Sequence, residues 1–75
     1  MHEKILQQLK KKKRMTLYSP RKGDVQMVHE PGDGWLPESF SFRYYDGRAA
    51  TFVQTEARNR EEFLELARHF FPEKS

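Results

Sequence analysis

Side chains that could ligate a metal ion are few in this sequence and lie far apart. The three histidines are His2, His29 and His69, and the chain contains no cysteine. His29 has Glu30 and Asp33 nearby, but this group lacks the paired histidines or cysteines that are typical of zinc sites. We therefore predict no metal and no cofactor, and we interpret these residues as solvated turn residues.

Catalytic nucleophiles and acid–base groups are also poorly represented. Ser19, Ser39 and Ser41 have no evident base in the neighbouring sequence, whereas an activated serine needs one within hydrogen-bonding reach. The aspartates each lie beside a glycine, which is typical of turns rather than of general acids. A chain of 75 residues also leaves little room for a buried catalytic pocket. The sequence therefore predicts a protein that is not an enzyme.

Positively charged side chains are the strongest candidates for binding chemistry. Residues 1–23 contain eight Lys or Arg and one acid, whereas residues 24–75 contain six Lys or Arg and ten acids. Such an asymmetry is typical of a basic interaction arm on an acidic body, and a basic cluster can bind nucleic-acid phosphates or an acidic protein surface. The alternative is a solvated, flexible tail. The cations that we assign to phosphate binding are Lys10, Lys11, Lys12, Lys13, Arg14, Arg21 and Lys22.

A second group of candidates combines arginines with aromatic rings on two predicted strands. Phe40, Phe42 and Tyr44 occupy every second position, a pattern that predicts a strand with one buried face. Asp46-Gly47 then predicts a two-residue turn in which Gly47 has a positive φ. The chain would return as a second strand over residues 48–54.

This turn fixes the predicted register, because it pairs Tyr44 with Ala49 and Phe42 with Thr51. The phenylalanine face is then buried, and we predict that the opposite, open face contacts nucleic-acid bases. The alternatives are that the basic N-terminal helix covers this face, or that its arginines pair with acids. The open-face candidates are Arg43, Tyr45, Arg48 and Phe52.

The elements that position these groups can be read from periodicity. A helix is predicted over residues 59–71, with Asn59 and Glu62 at the spacing of a capping box and Pro72 ending it. We expect this helix to pack on the buried face of the sheet. Its apolar stripe follows the i, i+3, i+4, i+7 pattern and consists of Phe63, Leu66, Ala67 and Phe70.

The first half of the chain predicts one helix and shorter strands. The helix extends from Glu3 to about Arg14, and good helix formers fill it. Residues 15–18 and 25–29 are predicted strands, which either pair as a hairpin or leave only the second strand in the sheet. Residues 30–39 are rich in proline and glycine, which predicts an irregular loop. We expect Trp35 in this loop to fold back and cover one end of the core; the alternative is an exposed residue that stacks on a ligand.

These elements define one small α+β domain in the order α-β-β-β-α. We predict a three-stranded or four-stranded antiparallel sheet with the C-terminal helix on one face. Residues 1–14 form a basic N-terminal helix or arm, and residues 15–75 form the compact body. Neither a membrane-spanning apolar run nor a signal-peptide core is visible, so we expect a soluble cytoplasmic protein with no membrane partner.

The predicted order is similar to that of double-stranded-RNA-binding domains. The segment from Phe40 through Asp46-Gly47-Arg48 to the last helix resembles the second hairpin and the last helix of that family. Their lysine-rich helix start appears here as Arg58 and Arg60. The run from residue 42 to residue 52 also looks like the arm-type DNA-binding domains of tyrosine recombinases, which bind DNA through an open sheet face. Both resemblances cover about half of the chain and imply nucleic-acid binding.

Together these features predict a small, non-enzymatic binding or regulatory protein. Its expected ligand is a nucleic acid, bound by the basic N-terminal arm and by the open sheet face. The alternative is a protein-binding adaptor or inhibitor that uses the acidic body and exposed aromatic side chains. A homo-oligomer formed through an unpaired edge strand would fit either function.

Overall fold

The structure is a computed structural model that describes residues 2–72. It contains two helices and four strands in the order α-β-β-β-β-α, which confirms the α+β prediction in its four-stranded form. The strands are antiparallel, and each pairs with its neighbour in sequence. The elements are α1 (His2–Lys12), β1 (Arg14–Ser19), β2 (Gly23–Glu30), β3 (Ser39–Asp46), β4 (Thr51–Ala57) and α2 (Arg60–Phe70).

Both helices pack on the same face of the sheet. Strand pairing aligns the buried residues of neighbouring strands, as in Met27 opposite Phe42, and the rings of Phe40 and Phe42 both lie about 5 Å from the ring of Phe63. This confirms that α2 packs on the phenylalanine face. It also shows that α1 does not cover the opposite face. The buried core consists of Leu6, Leu9, Val25, Met27, Phe40, Phe42, Ala57, Phe63, Ala67 and Phe70.

Helix α2 begins at the predicted cap. The Asn59 side chain accepts a hydrogen bond from the Glu62 N–H at 2.9 Å, which satisfies one of the free N–H groups at the helix start. The Glu62 carboxylate accepts from the Arg58 N–H at 2.8 Å, one residue earlier than in a standard capping box. The helix ends at Phe70, directly before the C-cap Phe71.

The predicted register of the β3–β4 hairpin is wrong. Tyr44 pairs with Val53 rather than with Ala49, because the connection has four residues, 47–50, instead of two. The Asp46 carboxylate accepts from the N–H groups of the second and third loop residues at 2.9 and 3.4 Å, which stabilises the longer loop. Ala50 has the positive φ, 52°, and Gly47 does not.

The shift moves the pairing by four residues, so it does not exchange the two faces of β4. Val53 still shares the buried face with Tyr44, and Phe52 still lies on the open face beside Tyr45. Arg48, predicted on the open face of the second strand, lies instead in the loop beyond the end of the sheet, as does Ala49.

The loop conformation predicts the effect of two opposite substitutions. Ala50→Gly should raise the free energy of unfolding by about 1 kcal/mol, because a residue with a Cβ is strained at a positive φ. Gly47→Ala should be neutral or stabilising by about 0.4–1 kcal/mol, because its φ is not positive and restricting the unfolded chain favours folding. Urea denaturation of both variants measures these changes. A marked loss of stability in Gly47→Ala would contradict the four-residue loop.

The expected position of Trp35 is also wrong, since its side chain is 98% exposed. Asp33 and Leu36 exchange two backbone hydrogen bonds, of 3.1 and 2.9 Å, and this leaves Trp35 at the tip of a tight turn. Gly32 makes the turn compact, because a Cβ there would lie 2.6 Å from the Leu36 carbonyl oxygen. An apolar pair in a loop sequence does not reveal the direction in which such a turn projects.

Among residues 2–72, neither helix has the length and the apolar character needed to cross a bilayer.

Candidate nucleic-acid interface

The open face of the sheet carries its side chains in transverse rows, because antiparallel pairing places one residue of each strand side by side. The row nearest the β1–β2 and β3–β4 connections contains three exposed aromatic rings and one acid. The next row is polar with one cation, and the third row mixes both charges. From the connections inward, the rows are Tyr18, Asp24, Tyr45 and Phe52; then Thr16, Gln26, Arg43 and Gln54; then Arg14, Val28, Ser41 and Glu56.

The aromatic side chains of the first row are accessible to a ligand. Tyr18 is 72% exposed, Tyr45 52% and Phe52 55%. The rings of Tyr45 and Phe52 meet edge to face, with their centres 5.3 Å apart. The Arg43 guanidinium lies over the Phe52 ring, 4.3 Å from its centre, and forms no ion pair with any of residues 2–72. This cation–π contact holds the charge on the open face without neutralising it.

The β1–β2 turn presents the next two candidate cations, Arg21 and Lys22. The buried Ser19 hydroxyl donates a hydrogen bond to the Phe70 carbonyl oxygen and accepts from the N–H groups of Arg21 and Lys22 at 3.2 Å. One side chain thus fixes the turn to the end of α2. The Lys22 ammonium lies 5.2 Å from the centre of the Tyr44 ring, so its stem is packed and its charge remains at the surface.

The β3–β4 loop brings Arg48 close to the same turn. A cleft of about 560 Å³ separates the two connections and is lined by Arg21, Lys22, Tyr45 and Arg48 among others. A second cleft of about 460 Å³ shares Lys22 and Tyr45 with the first and continues onto the open face as far as Phe52. The two clefts share Lys22, Tyr44 and Tyr45, and both are lined by cations and aromatic rings. We call them together the depression, with the second cleft as its inner part.

Chemically, this depression combines the two contacts that a nucleotide needs. Cations bind the phosphate groups, and aromatic faces stack on the bases. Asp24 and Gln26 also line its inner part, and carboxylate and amide groups can hydrogen-bond to base edges. We define Arg21, Lys22, Arg43, Arg48, Tyr18, Tyr45 and Phe52 as the aromatic–basic end of the open face.

The structure does not bring the lysine run, residues 10–13, to the aromatic–basic end. Lys10, Lys11 and Lys12 form the last turn of α1, where they complement the helix dipole. Lys13 follows with φ 71°, and its carbonyl oxygen accepts a hydrogen bond from His29 N–H at 2.8 Å.

This places the lysine run at the opposite end of β1 from the β1–β2 turn, about 17 Å away for a strand of this length. Acids share that end: the Glu38 carboxylate lies 4.0 Å from the Lys10 ammonium and accepts from the His29 ring at 2.9 Å. The cations that we assigned to phosphate binding are therefore divided into two clusters, of which only the turn cluster adjoins the aromatic rings.

One residue of the aromatic–basic end was not identified from the sequence. Tyr18 lies on the open face because Met15, Leu17 and Ser19 face the helices. The alternation within residues 14–19 indicates that Tyr18 faces away from the core. Ser19 obscures this alternation, because it is a polar residue at a buried position. The burial of Ser19 depends on a hydrogen bond to the Phe70 carbonyl oxygen, which cannot be predicted from the local sequence.

Comparison of the chain with protein-family models, curated proteins and solved structures gave no match. Its function therefore has to be inferred from the geometry of its own surfaces.

Proposed function

We propose that this protein is a non-enzymatic nucleic-acid-binding module whose ligand is a single strand. The strand lies on the open face of the sheet, with bases on Tyr18, Tyr45 and Phe52 and phosphates at the β1–β2 and β3–β4 connections. The observation that carries this proposal is the row of three exposed aromatic rings bordered by cations.

A single strand suits this surface better than a duplex does. Stacking on a protein ring requires an unpaired base face, because the bases of a duplex are already stacked on one another. The aromatic rings are exposed on an open sheet face, and neither helix of the described chain projects from that face to enter a groove. Because stacking does not depend strongly on base identity, we expect modest sequence preference.

The distribution of charge on the open face supports the placement of the ligand's phosphates at the β1–β2 and β3–β4 connections. Arg21, Lys22, Arg43 and Arg48 supply four cations at the aromatic end, where Asp24 and Asp46 are the neighbouring acids. The Asp46 carboxylate is occupied by loop N–H groups. At the far end of the sheet, Glu30, Glu38 and Glu56 line a separate cleft with Arg58, so acids there compete with phosphates for the cations of that end.

The test is fluorescence anisotropy with labelled single-stranded and duplex oligonucleotides of the same sequence. The wild-type protein should bind the single strand more tightly than the duplex. Phe52→Ala should weaken single-strand binding about tenfold or more, because each stacked base contributes roughly 1–3 kcal/mol, and Tyr45→Ala should have a comparable effect.

Leu36→Ala is the matched control, since Leu36 is 70% exposed but lies in the Trp35 loop, outside the proposed interface. Circular dichroism would show that all three variants remain folded. Failure to bind any single strand at tens of micromolar protein and low salt would refute the proposal, as would equal losses in Phe52→Ala and Leu36→Ala.

A protein partner is the second candidate, and the Trp35 loop favours it. Tryptophan is enriched among the residues that dominate protein interfaces, and here the 98% exposed ring is held by a hydrogen-bonded turn rather than by a mobile loop. The backbone of this turn would therefore lose little conformational entropy on binding. This surface is separate from the aromatic–basic end, so both functions could coexist.

A further inference from the structure

Strand β1 forms one free edge of the sheet, and its hydrogen-bonding groups can be assigned. The bond from His29 N–H to Lys13 C=O continues the β1–β2 ladder, in which Arg14 pairs with Val28. Hydrogen-bonded and non-hydrogen-bonded pairs alternate in an antiparallel ladder. Odd-numbered residues of β1 therefore bond to β2, whereas Arg14, Thr16 and Tyr18 direct their backbone N–H and C=O groups away from the sheet.

This edge is complementary to itself about a two-fold axis through Thr16. An antiparallel second copy would place Thr16 opposite Thr16, Arg14 opposite Tyr18, and Met15 opposite Leu17. The first two pairs lie on the open face, where a cation meets an exposed ring and two hydroxyl groups meet each other. The third pair lies on the helix face, where both side chains are apolar and only partly buried.

The opposite edge, β4, lacks this complementarity. A cleft at this edge is lined by Glu56 of β4 and by Glu62 and Glu65 of α2, and a two-fold pairing through β4 would bring these acids toward their copies. Strand β1 contains no acidic residue, and the partly buried Ile5 of α1 adds apolar surface on its helix side. The side chains of β1 itself thus accommodate a second copy, whereas the acids at the β4 edge oppose one.

We propose that two copies of this chain pair through β1 to form a dimer with one continuous eight-stranded sheet. The outward-facing residues 14, 16 and 18 would exchange up to about six backbone hydrogen bonds with their counterparts. The edge that would otherwise be open to unspecific pairing is then closed, and the two open faces lie on the same side.

The dimer joins the two basic clusters that a single chain keeps apart. In the proposed register Lys13 lies opposite Ser19 of the second copy, so the lysine run borders the second copy's β1–β2 turn, which carries Arg21 and Lys22. Adjacent strands are only about 4.8 Å apart, and the like charges repel one another. Salt or a bound polyanion should therefore strengthen the dimer. The pairing itself does not rest on the proposed nucleic-acid function, but the use of this composite surface does.

The test is sedimentation velocity of the protein alone, in the absence of nucleic acid. Thr16→Lys places two like charges opposite each other on the axis and should weaken dimerisation at least about tenfold. Gln54→Lys adds the same charge at the middle of the other edge strand, also on the open face, and should leave the dimer intact. The wild-type dimer should become tighter when salt is raised to about 0.5 M.

A wild-type protein that stays monomeric at about 200 µM in high salt would overturn the dimer. So would a dimer that Thr16→Lys leaves unchanged, or one that Gln54→Lys dissociates instead. Circular dichroism of both variants shows whether the monomer remains folded. Because the assay contains no oligonucleotide, its outcome is independent of whether the open face binds nucleic acid.

Discussion

Phe63→Ala is expected to lose about 3–5 kcal/mol of folding free energy, which is comparable to the whole stability of a domain of this size. Phe63 is completely buried, and its ring lies about 5 Å from the rings of Phe40 and Phe42. Truncation would leave a cavity between α2 and the centre of the sheet. The variant should be largely unfolded at room temperature, as measured by far-ultraviolet circular dichroism and thermal denaturation.

Phe52→Ala provides the matched comparison, because it makes the same chemical change on the open face, where the ring is 55% exposed. Its cost should be below about 1 kcal/mol, since little cavity is created there. If the two variants melted at similar temperatures, α2 would not form part of the core. The contrast also separates loss of folding from loss of binding, which makes Phe52 a suitable site for the binding assay.

Replacement of Arg21, Lys22 and Arg48 by Gln is expected to make single-strand binding much less sensitive to salt. Each phosphate contact on a single strand contributes about 0.7 to the slope of log affinity against log salt, so the triple variant should lower that slope by about 2. Stability should change little, because solvated charges contribute weakly to folding. Anisotropy titrations at several salt concentrations give the slope directly.

Replacement of Lys11, Lys12 and Lys13 by Gln removes the same charge at the other end of β1. In a monomer this cluster lies about 17 Å from the β1–β2 turn, so the slope should fall by less than 1. In the proposed dimer the lysine run adjoins the β1–β2 turn of the second copy. Its replacement should then lower the slope by as much as the replacement of Arg21, Lys22 and Arg48 does. A slope that depends on the lysine run but not on Arg21, Lys22 and Arg48 would refute phosphate binding at the aromatic–basic end.

The parts of the fold that could be predicted from sequence are those encoded by local periodicity. The stripe of α2, its cap at Asn59 and the buried side of β3 follow from spacing alone, and all three are confirmed. The open-face positions of Arg43, Tyr45 and Phe52 were also correct, although the register was not. A shift of four residues conserves the two-residue period of a strand, so the faces were insensitive to the error in the turn.

The remaining errors have physical causes that a local pattern cannot reveal. The β3–β4 connection is longer because the Asp46 carboxylate binds loop N–H groups and Ala50 tolerates a positive φ, although Gly47 looked better suited to one. Trp35 is exposed because backbone bonds between Asp33 and Leu36 orient its turn outward. The two basic clusters are separated because β1 runs between them as an extended strand. Counting charges along the sequence does not predict this separation in space.

The neighbour-to-neighbour order of the strands has a consequence for how the chain folds. Each hairpin closes a short loop, so the whole sheet can form from contacts that are local in sequence and cost little loop entropy. The long-range closures fall on the helices: the Ser19 hydroxyl donates to the Phe70 carbonyl oxygen of α2, and the His2 ring of α1 is 2.6 Å from the Phe71 carbonyl oxygen. Because positions 2 and 71 lie side by side, the protein is suited to circular permutation, with a short Gly/Ser segment joining them and new ends placed in the 47–50 loop. In such a permutant α2 and α1 would follow one another as a helical hairpin, and their docking would become a local event.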